Sequence, residues 1–381
     1  MGAPGQSSGG NNAGQMIQQN AMLRQALLAS APKMRKQISS ITGGVPGQTS
    51  RVKLFNVGIT TRILLDVILT LDIGVATATL SPKAPFNLLN RVKLTDFDGT
   101  DRVNASGYQL WVLNSIREKT PYGYNNESQA AVSTSPLVPT AVGAAQQVRF
   151  QLEIPLAFDA DTDLRGALLT QTAVGEAWLS IDWNSLILAN GNADAVYNGA
   201  GTTTVANTSI QVNVFQEYLL PQSVGGQVPL PALDLMTVYE IAGALRSSDN
   251  IAAGQEKLFN YPNVRSVIGC YLNFINNSVM NPAQTDMSKF RIIANGNNVL
   301  REYGPGDKLF EQRLWMLGHA DLRNGTYFEL HRGKPIETAL FGNVQLGFTP
   351  SSASGTSNFE VCFESFYTKG SMLPGLSQAS G

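Results

Sequence analysis

Histidine and cysteine are almost missing from this chain, with two of each in 381 residues. His319 and His331 stand apart from any Cys-x-x-Cys pair, so the ligands of a zinc centre are not there. Cys270 and Cys362 both sit in apolar, strand-like stretches and read as small buried residues. A disulfide between them is not expected, which fits synthesis in an intracellular, reducing compartment. Charge is also scarce: Asp, Glu, Lys and Arg make up 14% of the chain, against roughly 25% in an ordinary soluble protein. A surface so poor in charge suits burial against neighbours. The net charge of −1 argues against electrostatic, sequence-specific nucleic-acid binding by the whole molecule. Uninterrupted hydrophobic runs are missing too. The longest candidate, 57–75, is broken by Arg62, Asp66 and Asp72 and alternates with period two, so it is a strand and not a membrane span. The Gly/Ser/Asn-rich start lacks the basic-then-apolar order of a signal peptide, and neither a secreted nor an integral-membrane protein is expected.

What the sequence does contain is one β-pattern written twice, about 200 residues apart. Arg91-Val92-Lys93-Leu94 runs into Asp98-Gly99 and then Leu110-Trp111-Val112-Leu113; Arg291-Ile292-Ile293 runs into Asn295-Gly296 and then Leu314-Trp315-Met316-Leu317. Asp-Gly and Asn-Gly are hairpin dipeptides because a type I′ turn needs φ > 0 at both central residues. Each copy follows an alternating strand, Ile63, Leu65, Val67, Leu69, Leu71 and Ile73 in one and Val264, Ile268, Cys270, Leu272 and Phe274 in the other. Each half also closes on a similar strand, Val214–Tyr218 and Cys362–Phe366. The offset shrinks to roughly 150 at the closing strands, which rules out a short-period solenoid and suits two homologous domains with different loops.

About eight strands fit each half, and long connections favour jelly rolls or related sandwiches over up-and-down barrels. The expected division is an arm at 1–50, a first roll at 51–220, a linker with a short helix at 221–245, a second roll at 246–368 and an uncharged tail at 369–381. Within the first roll, the Ser/Pro/Ala-rich stretch 115–147 is a long excursion of the functional or interfacial kind. In the arm, a helix is expected from about Gln15 to Ser30, with Met16, Leu23 and Leu27 on one face flanked by Ile17 and Leu28; Asn20 and Arg24 intrude on that face. No acid occurs before Asp66, whereas Arg24, Lys33, Arg35 and Lys36 are basic. Such an arm suits an anionic surface, lipid or nucleic acid, or else serves only to solubilise the chain or dock a partner.

Chemistry-bearing motifs are weak. Gly5-Gln6-Ser7-Ser8-Gly9 matches a nucleophile elbow but has no strand before it. Asp159, Asp161 and Asp163 resemble the first ligands of a calcium loop, yet Leu164 and Thr170 stand where the required Gly and Glu belong. They are weak metal candidates, and a turn capped by its own carboxylates is the simpler reading. Trp111, Trp178, Trp183 and Trp315 fall in apolar, strand-like patterns and read as core. No aromatic-plus-acid cluster marks a glycosidase site, and neither an enzyme nor a cofactor is expected.

Ile154-Pro155-Leu156-Ala157-Phe158 followed by Thr162–Leu169 resembles the double jelly-roll major capsid protein of tectivirus-like bacteriophages, the tailless icosahedral phages with an internal membrane. Val57-Gly58-Ile59, Pro229-Leu230 with Leu233-Asp234-Leu235, and Gly333-Lys334-Pro335-Ile336 leading to Phe341-Gly342-Asn343-Val344 are similar to the same family. Their order, spread over about 50–368, carries the likeness. It implies an all-β double jelly roll with a short N-terminal helical arm, acting as a virion capsid subunit. It further implies a homotrimer forming a pseudo-hexagonal capsomer and a lattice, with minor capsid and vertex proteins as further partners. The arm, through Met16, Ile17, Leu23, Arg24, Leu27, Leu28, Lys33, Arg35 and Lys36, would face the internal membrane or the lattice. A soluble double β-sandwich that binds or cleaves carbohydrate is the alternative.

Overall fold

A computed structural model of the chain describes residues 9–72, 79–81, 83–119, 146–171, 173–189, 192, 194–198, 206–223, 230–276, 286–317, 325–331, 333–351 and 356–368. Gly5–Ser8 of the nucleophile-elbow pattern, Ile73, His319, most of the 115–147 excursion, part of the linker and the tail lie outside these residues.

The chain opens with helix α1 (Gly9–Ser30), then β1 (Lys33–Gly44), β2 (Thr49–Lys53), β3 (Ile59–Asp72), β4 (Thr79–Leu80), β5 (Leu89–Thr95) and β6 (Asp101–Ala105). Helix α2 (Gly107–Glu118) leads to β7 (Gln146–Pro155), β8 (Leu168–Leu169), β9 (Trp178–Trp183), β10 (Leu188–Ala189), β11 (Tyr197–Asn198) and β12 (Ala206–Leu219). The second half runs α3 (Ala232–Met236), β13 (Thr237–Asn250), β14 (Lys257–Asn260), β15 (Ser266–Asn276), β16 (Met287–Ala294) and β17 (Asn298–Tyr303). It ends with α4 (Pro305–Trp315), β18 (Thr326–Leu330), β19 (Ile336–Glu337), β20 (Val344–Pro350) and β21 (Thr356–Thr368).

The first roll packs the sheet β1-β12-β3-β7 on β6-β5-β9-β2; the second packs β13-β21-β15-β18 on β17-β16-β20-β14. The rolls are fused edge to edge: β6 and β13 pair in parallel, with Ile241 opposite Val103, so one nine-stranded sheet crosses both. Period-two alternation decides which side of each strand is core. Ile63, Leu65, Val67 and Leu69 of β3 are fully buried, whereas Arg62 and Leu64 on its other face are half-exposed.

The repeated pattern is a structural repeat, β5-β6-α2 in one roll and β16-β17-α4 in the other. At Asn295 and Gly296 both φ values are positive, as a primed turn requires; in the first copy a wider turn needs only Gly99, at φ 83°. The Leu-Trp-x-Leu segments are not strands. Trp111 lies on α2 and Trp315 ends α4, and α2 begins with a capping box in which Ser106 and Gln109 exchange side-chain-to-backbone bonds. Trp111 and Trp183 are buried as expected, Trp315 half so, but Trp178 reaches the surface. Val264, expected on the inner face of a strand, precedes β15, has φ 53° and is exposed. A bulge between Val267 and Gly269 then shifts the parity, so Val267, Cys270, Leu272 and Phe274 face the second core while Ile268 faces the first roll.

Two segments before or at the expected start of the first roll are strands. Lys33–Gly44 pairs along β12 as the edge of the first sheet, and Thr49–Lys53 pairs with β9. β1 carries charges because an edge strand faces water on one side, and that charge is what made it read as arm. The short linker helix ends at Met236, and β13 starts at once.

Candidate functional site

The helical arm lies on a built seat. Its docked face is Asn20, Arg24, Leu27 and Ala31, spaced by four, three and four residues as one side of an α-helix demands. Leu27 and Ala31 enter a small apolar cluster with Ile59, Ala157, Leu164, Ala167 and Leu219, against which Leu28, Leu169, Leu230 and Leu235 pack. Asn20 and Arg24, the residues that spoil the amphipathic stripe, are the polar half of this contact. The Asn20 amide donates to Asp234 at 2.8 Å and its oxygen accepts the Leu233 N–H at 2.9 Å. Arg24 reaches Asp234 at 3.3 Å and Asp163 at 3.6 Å. Burial raises the Asp234 carboxyl above its ordinary value, against the opposing pull of Asn20 and Arg24.

Most segments that carry the family resemblance converge here. Gly58 at φ 59° precedes Ile59, and a β-carbon on it would lie 2.2 Å from the Leu219 carbonyl oxygen. The carbonyl of Asp234 accepts the Gly166 N–H at 3.2 Å, and Leu164 and Ala167 line the floor. Sequence reasoning missed Asp234 and Asn20 as arm-holding residues. The available signal was a pair of polar residues on an otherwise apolar helix face.

The other predicted arm residues separate. Met16 and Ile17 project into solvent, with Met22 beside them; Leu23 is half-buried. Lys33 meets Asp161 at 2.7 Å, an exposed pair worth little. Arg35 donates to Glu217 at 2.6 Å, and Lys36 lies 4.3 Å above the Phe55 ring. The basic run is therefore engaged with its own first roll and does not form a free cationic surface.

The three aspartates of the calcium-like stretch have other work. Burial opposes the charge on Asp159, yet the N–H groups of Asp161 and Thr162 donate to it and hold its carboxyl below the usual range. Asp163 takes Arg165 at 2.6 Å as well as Arg24. Among the described residues no group of three His, Cys, Asp or Glu side chains is arranged to hold a metal, and no helix is long and apolar enough to cross a membrane.

A second polar constellation lies where the rolls meet. α2 rests on the outer face of β18-β15-β21, where Ile268, Tyr271, Phe328, Cys362 and Phe366 join the first-roll core. Tyr108 and Thr326 share a hydroxyl hydrogen bond of 2.7 Å, and the Gln109 amide donates to the Val361 carbonyl at 3.3 Å. Glu364, fully buried, accepts from Arg117 at 3.0 Å and from the hydroxyls of Tyr239 and Tyr271. A buried carboxylate held by a guanidinium and two phenols is satisfied and inert, a clamp between rolls more than a reactive group.

Two family models match the chain in succession: P3 major capsid protein N-terminal over residues 12–221 and P3 major capsid protein C-terminal over 236–379. The Major capsid protein P3 of Enterobacteria phage PRD1 is 24% identical over 372 residues, covering 93% of this chain and 92% of that protein. Among solved structures, the STIV major capsid protein superposes with a TM-score of 0.66 at 13% identity, covering 92% of this chain and 99% of that one. The PBCV-1 virus capsid gives 0.59 at 13% identity, covering 88% and 94%. At such identities the structural matches speak for the fold, a double jelly roll.

Proposed function

This chain belongs to the P3 major capsid protein family, and from that premise we propose that three copies close into a pseudo-hexagonal capsomer of six jelly rolls. As a major capsid protein it is a structural component of a phage virion and builds the capsid lattice with copies of itself. The finer reading is ours. The arm faces the internal membrane or a neighbouring capsomer through Met16, Ile17 and Met22, its exposed apolar edge, while Arg24 and Leu27 tether it to the body. Minor capsid and vertex proteins complete the shell, and the subunit performs no catalysis.

The observation that supports the ring is the way one roll seats on the next within the chain, α2 on the outer face of β18-β15-β21. A subunit made of two such rolls offers the same kind of contact again at its free ends. The test compares the full chain with a form lacking residues 1–30, since a cut at residue 50 would remove β1. Light scattering should give three times the single-chain mass for both, that mass being 40.9 kDa for the full chain, and only the full chain should float with phospholipid vesicles. A monomeric full chain would sink the trimer, and equal flotation of both forms would sink the membrane role of the arm.

A further inference from the structure

The two hairpin-plus-helix units are treated differently by the chain. α2 is buried almost throughout, by its own roll and by the second roll. α4 is not: Phe310 and Leu314, four residues apart on one face of it, are 69% and 67% exposed, and Leu317, just past its end at φ 54°, is 68% exposed. Three adjacent large apolar side chains at that exposure mark an interaction surface. The helix cannot roll to hide them, because its opposite face is fixed. Lys308 pairs with the buried Glu329 at 2.5 Å, Gln312 donates to the Thr326 carbonyl at 3.3 Å, and Met316 is buried in the core shared with the first roll.

We propose that the stripe on α4 is covered by the first roll of a second copy of this chain, on the outer face of β7-β3-β12. That contact repeats between chains what α2 makes within one. The seat used by α2 is a row of residues directly opposite one another, Phe328, Tyr271 and Cys362, crossing three paired strands. The same three-strand crossing in the first roll is Glu153, Leu64 and Phe215. Leu64 and Phe215 point away from the core that Leu65 and Val214 fill, are half-exposed, and border a cavity of about 290 Å³ with Arg62, Asp66 and Arg149. Apolar groups at the centre and paired charges around them are what a Phe/Leu stripe needs from a partner. Stripe and seat are different surfaces, so the contact is head-to-tail and must close into a ring or run on as a filament. Closure at three rests on the capsomer reading above.

Full-length chains carrying either Leu314→Cys or Leu64→Cys are co-expressed and treated with a short bis-maleimide. The native Cys270 and Cys362 are buried, so the unsubstituted chain serves as the unreactive control. A covalent dimer joining one chain of each kind is expected, with no dimer from either variant alone, because the proposed contact sets position 314 against position 64 and not against itself. Phe310→Asp/Leu314→Asp should fall to 40.9 kDa by light scattering with its circular dichroism unchanged. Dimers from Leu314→Cys alone would show a two-fold contact and overturn the proposal. A trimer with no 314-to-64 link, or one that survives Phe310→Asp/Leu314→Asp, would overturn this contact while leaving the trimer in place; a monomeric wild type would overturn both.

Discussion

Single residues set the limits within which this subunit folds. Gly166 holds φ at 91°, and a β-carbon there would stand 2.3 Å from Cβ of Tyr239 and 2.5 Å from the Leu156 carbonyl oxygen. Gly166→Ala therefore combines left-handed strain with a collision against backbone at the point where arm seat and second roll meet. We expect a loss of about 3 kcal/mol or more, measured by urea unfolding; a loss below ~1 kcal/mol would show that this corner can relax. His331 is the second case. It is buried beside the Tyr261 hydroxyl, and burial first, then the Arg301 and Lys308 cations, push its basicity down to about 3. The unfolded ring titrates near 6.5, so between those values the unfolded state binds the extra proton. Stability contributed here is present above pH 6.5 and drains away as pH falls towards 3, by up to about 1.4 kcal/mol per pH unit. Unfolding of wild type and His331→Gln at pH 7 and pH 4 should show the flatter dependence in the variant; equal slopes would mean that the ring is already protonated in the native state.

Elements are where the sequence was partly legible and partly misleading. Strand β3 could be read residue by residue because one face is core and the other is not, so its period is plain. Helix α2 could not, since it is covered on nearly every side and buries the polar Gln109, Asn114 and Ser115 along with its apolar residues, so no clear period of 3.6 marks it. That is why Leu110-Trp111-Val112-Leu113 passed for a strand. The arm was recognisable as a helix, but the sequence did not show which of its residues hold it to the body. Met16 and Ile17 are free, while the polar intruders Asn20 and Arg24 dock it. No local pattern could reveal Asp234, which arrives from more than two hundred residues away. Because α1 shares only a small apolar cluster with the body, its attachment depends on this buried polar contact. Asn20→Ala/Arg24→Ala should strip amide-exchange protection from 13–30 and leave β3 and β12 protected. Unchanged protection across α1 would assign its attachment to Leu27 and Ala31 alone.

At the scale of the whole molecule, two rolls have become one folding unit. The nine-stranded sheet passes from β6 to β13, the core of the first roll includes Ile268, Tyr271, Phe328 and Phe366 of the second, and Arg117 reaches across to Glu364. Separating the rolls would bare those apolar side chains and leave Glu364 without its cation, a loss on the order of 3–5 kcal/mol from the broken buried pair alone. A capsid subunit gains from such fusion, because the shared sheet fixes the angle between rolls before any neighbour is met, which is a form of preorganisation. The intact chain should therefore melt in one calorimetric transition whose calorimetric and van't Hoff enthalpies agree. Residues 237–368 expressed alone should bind a hydrophobic dye and aggregate, since their outer sheet face has lost α2. Two resolved transitions, or a soluble and dye-silent second roll, would mean that the rolls are merely tethered, and the orientation of six of them in a ring would then have to be imposed by the lattice instead of by the fold.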